Sequence, residues 1–163
     1  SQIGLREILR ANFPDKKVYA IGSGIPALFS RLSPMDSVDE ETIASSLAIL
    51  VDVSCLRRVE DKRVFLAKKF AKFDHHDPNK RGEDFPYPDF CVDPRKIACA
   101  ELIENFAFFN HLKLTKLAAE ALLYRYFYRL RMLSVLWDEP RNLPGGPPLS
   151  QRRDRPSFDS SDS

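Results

Sequence analysis

The sequence predicts an α/β fold: a parallel sheet with flanking helices, followed by a disordered C-terminal tail. Helical and extended patterns alternate along the chain, as they do where parallel strands are joined by crossovers. The apolar run Leu47-Ala48-Ile49-Leu50-Val51 ends in Asp52, and the run Lys69-Phe70-Ala71-Lys72-Phe73 ends in Asp74-His75-His76. Between them, Glu60 to Lys69 is a helix-compatible stretch that returns the chain to a parallel neighbour, completing a compact β-α-β unit.

The elements follow in order. Ile3, Leu5, Ile8 and Leu9 recur at helical spacing, so the chain opens directly in an amphipathic helix, and Asn12-Phe13-Pro14-Asp15 stops it. Lys17-Val18-Tyr19-Ala20-Ile21 reads as a strand. The Gly22-Ser23-Gly24-Ile25-Pro26 segment after it is a plain turn, because it lacks the spacing of either glycine-rich nucleotide fingerprint. Asp39-Glu40-Glu41-Thr42 begins a short helix leading into the strand that ends at Asp52. Phe85-Pro86-Tyr87-Pro88-Asp89-Phe90 is too proline-rich for a regular element and reads as a loop over the sheet edge, with Phe90-Cys91-Val92 adding a short strand. Pro94 is an early residue of a helix capped by Asp93 and running through Ile97, Ala100, Leu102, Ile103, Phe106 and Phe109, its aromatics filling the core. His111 falls just past that helix and has no chemical role. Leu114 to Glu120 opens another helix. After Trp137 the composition turns to proline, glycine, arginine and serine, which predicts disorder; Arg152, Arg153 and Arg155, interrupted by Asp154, belong to a solvated tail.

Bulk composition narrows the function. A chain of 163 residues, 44% hydrophobic, holds one domain with its own core. With 25 basic and 23 acidic residues the net charge is +2, so phosphate recognition must be local. Cys55, Cys91 and Cys99 are odd in number and lack zinc-finger spacing, which points to a reducing cytoplasm. No run approaches the roughly 18 apolar residues that cross a bilayer, so no membrane partner is expected. The first helix begins with no preceding strand, which suggests a start inside a domain.

The carboxyl ends of parallel strands are where ligands bind in open α/β sheets. Asp52, Asp74, His75 and His76 converge on that edge. Singly, such residues are usually turn caps or ordinary loop histidines; together at strand ends they predict a metal site, and carboxylate plus imidazole suits manganese, magnesium or zinc.

These residues resemble the DHH phosphoesterases, more narrowly the bifunctional oligoribonuclease and 3′-phosphoadenosine 5′-phosphate phosphatase branch. The likeness runs from Ser1 to about Leu123 and rests on Ile49-Leu50-Val51-Asp52-Val53-Ser54 with Arg58-Val59, on Lys72-Phe73-Asp74-His75-His76, and on Val92-Asp93-Pro94 with Ala100-Glu101-Leu102-Ile103. Ala119-Glu120-Ala121-Leu122-Leu123 fits the family's next helix. The resemblance implies a partial DHH domain over 1–123 and two divalent ions, Mn2+ or alternatively Mg2+. It also implies a substrate that is a short oligonucleotide or a nucleotide phosphate. By the same likeness Asp52 is the metal-bridging ligand and His75 a direct ligand, Asp74 supports that histidine, and His76 faces the substrate phosphate.

The chain departs from the family pattern in three places. Ser1 stands where the first motif should end, which implies that three ligands are missing upstream. The helix through Ala121 should lead to a strand carrying a further aspartate, whereas residues 124–137 form a divergent helix before the tail at 138–163. Codons can be chosen for Tyr124 through Val135 that, read one base later, restore that motif, which suggests a one-base frameshift near Tyr124. The glycine-rich substrate-binding domain is also missing. A phosphoesterase domain, inactive as it stands, is therefore the first expectation; a non-catalytic interaction or regulatory domain on a degenerate DHH scaffold is the alternative.

Overall fold

The computed structural model describes residues 1–22, 34–77 and 91–138, with side chains as far as residue 127. The expected turn at Gly22–Pro26, the loop over the sheet edge and the tail after residue 138 lie wholly or mostly outside these residues. The elements are α1 (Gln2–Asn12), α2 (Glu40–Ala44), β1 (Leu47–Val51), β2 (Lys69–Asp74), β3 (Cys91–Val92), α3 (Cys99–Phe109) and α4 (Lys116–Asp138). The three strands form a parallel sheet in the order β1-β2-β3, with Leu47 opposite Lys69, Val51 opposite Phe73, and Asp74 opposite Val92. This is the expected α/β architecture.

Two apolar layers sandwich the sheet. On one face, Leu5 and Ile8 of α1, Ala100, Leu102, Ile103 and Ala107 of α3, and Ala118 and Leu122 of α4 pack with Phe73, and Ile49 and Val51 join them. On the other, Val38, Ile43, Val59, Val64 and Ala67 pack with Ala48 and Leu50. Alternate residues of β1 thus enter opposite cores, which is why its sequence is an unbroken apolar run rather than an alternating one. Gly4 lets α1 approach α4: a Cβ there would lie 2.7 Å from Cγ and Cδ2 of Leu122.

Several local expectations need correction. Residues 17–21 form no strand. Their backbone is held mainly by side chains, with Arg10 Nε donating to the Val18 carbonyl at 2.8 Å and Ala20 N donating to Asp36 Oδ2 at 2.7 Å, while Asp36 N donates back to the Ala20 carbonyl at 2.7 Å. The β1 to β2 crossover is made of two 3-10 turns, Leu56–Arg58 and Lys62–Leu66, not an α-helix. Val59 between them is extended (φ −68°, ψ 115°), and its side chain is buried in the second core. α3 begins at Cys99 rather than near Pro94, because the Asp93 carboxylate accepts from Arg95 N and Nε in a separate turn and Ala98 is the extended residue before the helix. Its aromatics divide: Phe106 meets Phe73 edge-on at 5.3 Å, whereas Phe108 and Phe109 are 74% and 73% exposed. α2 starts as expected, with Asp39 capping Thr42 N at 2.7 Å. α4 runs through Leu123 and the 124–137 stretch without interruption. Among the described residues no helix is long and apolar enough to cross a membrane, and the three cysteines are free thiols.

Candidate metal centre

Because the strands are parallel, their carboxyl ends lie at one edge. Asp52 N donates to the Phe73 carbonyl at 2.9 Å and Asp93 N to the Asp74 carbonyl at 3.1 Å, so the residues after β1 and β3 are both tied to the end of β2. Asp52 has a left-handed backbone, φ 62°, which turns the chain sharply out of β1. His75 and His76 follow β2 directly, with ring centroids 4.7 Å apart.

Asp52, His75 and His76 each offer a ligand atom, and these atoms lie within 4.8 Å of one another. His75 is buried, and its Nδ1 lies 3.2 Å from the Lys96 carbonyl. A carbonyl only accepts, so Nδ1–H donates to it and Nε2 is the ring nitrogen that faces Asp52. That Nε2 lies 3.3 Å from Asp52 Oδ1, a buried oxygen with no hydrogen-bond partner. An imidazole nitrogen and a carboxylate oxygen facing each other at this distance can share a cation, a proton on Nε2 or a metal ion in its place. Two ligand atoms each about 2.1 Å from one ion at the tetrahedral angle stand about 3.4 Å apart, so the Asp52–His75 pair fits a single divalent ion.

Asp74 is set behind the cluster. Its buried carboxylate accepts from His76 Nδ1 at 2.6 Å and from the backbone N–H of His75 at 2.9 Å, and pairs with the buried Lys72 ammonium at 3.2 Å. It therefore orients the His76 ring and not the His75 ring, whose partner is Lys96. Lys96 is fixed in turn through its Nζ, 2.6 Å from Glu101 Oε1. With Nδ1 of His76 bonded to Asp74, its Nε2 is the nitrogen left for a ligand.

The site has one feature that the motif residues do not announce. Arg125 Nη2 of α4 lies 2.5 Å from Asp52 Oδ2. Burial alone would push the Asp52 carboxyl up; the contact with His75 and the positive charge of Arg125 reverse this and hold it below the usual carboxylate range. A signal for Arg125 was present in the sequence: it follows Ala118 and Leu122 at helical spacing, so it interrupts the stripe that faces the core. Asp93, near the same edge, is turned to Arg95 at 2.9 Å, which holds its pKa at about 2.

A parallel sheet whose strand ends gather a carboxylate and two imidazoles defines an α/β protein with a candidate divalent-metal centre. Comparison with known proteins supplies the family. No family model matches the chain. It is 36% identical over 122 residues to a probable bifunctional oligoribonuclease and PAP phosphatase NrnA of Streptococcus mutans, covering 75% of this chain and 38% of that protein. It is 41% identical over 104 residues to the bifunctional oligoribonuclease and PAP phosphatase NrnA of Bacillus subtilis, covering 63% and 31%. The like-named protein of Mycoplasma pneumoniae is 30% identical over 128 residues, covering 75% and 39%. The chain belongs to the DHH family, on the branch of these proteins, and spans less than two fifths of their length.

Proposed function

We propose that this chain is part of the metal-binding domain of a manganese-dependent phosphoesterase whose substrates are short oligoribonucleotides or PAP. The observation that carries the reading is the convergence of ligand atoms of Asp52, His75 and His76 within 4.8 Å in a chain with these relatives. Asp52 and His75 hold the ion, Asp74 fixes the His76 ring, and Nε2 of His76 faces either the ion or a phosphate oxygen. Divalent ions at such a site supply an activated water and neutralise charge on the phosphoryl oxygens. The three free thiols fit a reducing cytoplasm.

Three ligands support one ion rather than a pair, so the chain alone is proposed to be inactive, lacking the contacts that position a substrate phosphate. The Arg125–Asp52 pair favours a second reading, a non-catalytic interaction domain on the same scaffold. Two measurements separate them. In a full-length parent, Asp52→Asn should abolish manganese-dependent release of mononucleotide from a short oligoribonucleotide; retained activity overturns the assignment. In this chain, calorimetric titration with Mn2+ should show binding that His75→Ala removes, and no binding by either protein would leave the interaction-domain reading.

A further inference from the structure

We propose that Arg125 is a built-in counter-ion of Asp52 that a divalent cation must displace, so that α4 sets the metal affinity of the site. The inference rests on the metal reading above and adds a residue that belongs to no ligand motif. Asp52 and Arg125 are 73 residues apart in sequence, yet meet at 2.5 Å. The meeting is enforced by packing: Ala118, Ala121 and Leu122 of α4 are buried, and Gly4 lets α1 seat against Leu122. Arg125 reaches from this anchored turn into a cavity of about 420 Å³ that it lines together with Ser1, Asp52 and Arg58.

The carboxylate has two oxygens and the structure divides them. Oδ2 takes the guanidinium, while Oδ1 faces His75 Nε2 without a hydrogen-bond partner. An ion held between Oδ1 and Nε2 would therefore share Asp52 with a fixed positive charge a few ångströms away. Like charges sharing one carboxylate repel, and Arg125 already neutralises part of the field that would attract the ion. The Asp52 side chain is only 16% exposed, so water screens this repulsion incompletely. The guanidinium cannot shed its proton at any ordinary pH. Relief requires the side chain to swing away, and Arg125, at 34% exposed, has a path to solvent.

The test is calorimetric titration of Mn2+ into the wild-type chain and into Arg125→Ala, Arg125→Met and Arg125→Lys, with far-UV circular dichroism to establish that each is folded. Arg125→Met keeps the aliphatic stem and guards against packing loss in the alanine variant. Removing the charge should tighten Mn2+ binding by about tenfold or more, and Arg125→Lys, which keeps it, should stay near wild type. Mn2+ should also raise the melting temperature more in Arg125→Met than in wild type. Equal or weaker binding by both neutral variants overturns the counter-ion role. If that binding still vanishes with His75→Ala, the metal site itself stands. If no folded variant binds Mn2+, the counter-ion role and the metal reading fail together.

Discussion

Replacing Gly4 by alanine sets two known effects against each other. Gly4 lies inside α1, where alanine is favoured over glycine by about 1 kcal/mol. The added Cβ, however, meets Leu122 Cγ and Cδ2 at 2.7 Å and the Ala118 carbonyl at 3.4 Å. Leu122 is 4% exposed within the first core, so its Cγ cannot retreat without moving neighbours. Overpacking of this kind costs about 1–3 kcal/mol. The clash wins, and the net effect is a loss of up to about 2 kcal/mol, read as a lower urea midpoint with an unchanged slope. The Gly4→Ala/Leu122→Ala pair supplies the decisive comparison. Leu122→Ala alone should cost about 2–5 kcal/mol, and adding Gly4→Ala to it should be neutral or stabilising, because the new methyl enters vacated space. If Gly4→Ala alone stabilises by the full helix propensity, with no coupling to Leu122, then α1 and α4 do not touch there. The same result would undercut the packing that carries Arg125 to Asp52.

Two further outcomes follow from groups that are not themselves proposed metal ligands. Burial alone would raise the Asp36 pKa, but the Ala20 N–H, Arg6 and Arg10 outweigh it and hold the carboxyl below its ordinary value. Its stabilisation is therefore present above the unfolded value near pH 4 and is lost as pH falls through the folded one. Asp36→Asn should be less stable than wild type at pH 7 and show a shallower loss below pH 4, measured by urea unfolding; parallel curves would exclude the role. For Cys99, burial followed by the Asp52 charge pushes the thiol up to about 12, and the side chain is fully buried. A disulfide reagent should label it only at the rate of unfolding, and rapid labelling in the native state would contradict this placement.

How much was legible depended on where each residue's partners lie. β1 was readable to the residue because both its faces are buried, and β2 because its last residues open the ligand motif. α1 announced itself by spacing. The strand expected at 17–21 failed because its apolar pattern is genuine but its backbone partners are Arg10 and Asp36, from segments no local pattern connects. Asp93 looked like a helix cap, yet its carboxylate is taken by Arg95 two residues on, a competition spacing alone does not resolve. At the site, Asp52, His75 and His76 are brought together as the strand ends implied. The division of labour is different: Asp74 serves His76, the Lys96 carbonyl serves His75, and Arg125 approaches from a helix outside the motif residues. The first is a local contact inside the motif, whereas the Lys96 carbonyl and Arg125 arrive from 21 and 73 residues away, where no local pattern connects them to the site.

The left-handed backbone at Asp52 gives that position two separate requirements. Aspartate, asparagine and glycine accept φ 62° readily, whereas alanine or a branched residue pays a steric cost of roughly 1–2 kcal/mol. A substitution there to alanine consequently mixes distortion of the turn with loss of the charge, and an inactive alanine variant would not say which was responsible. Exchange of one carboxylate oxygen for an amide nitrogen separates them: the turn persists, the anion is gone, and any lost binding belongs to chemistry alone. Scaffold and ion binding meet in one residue, and they can be taken apart there by a single atom.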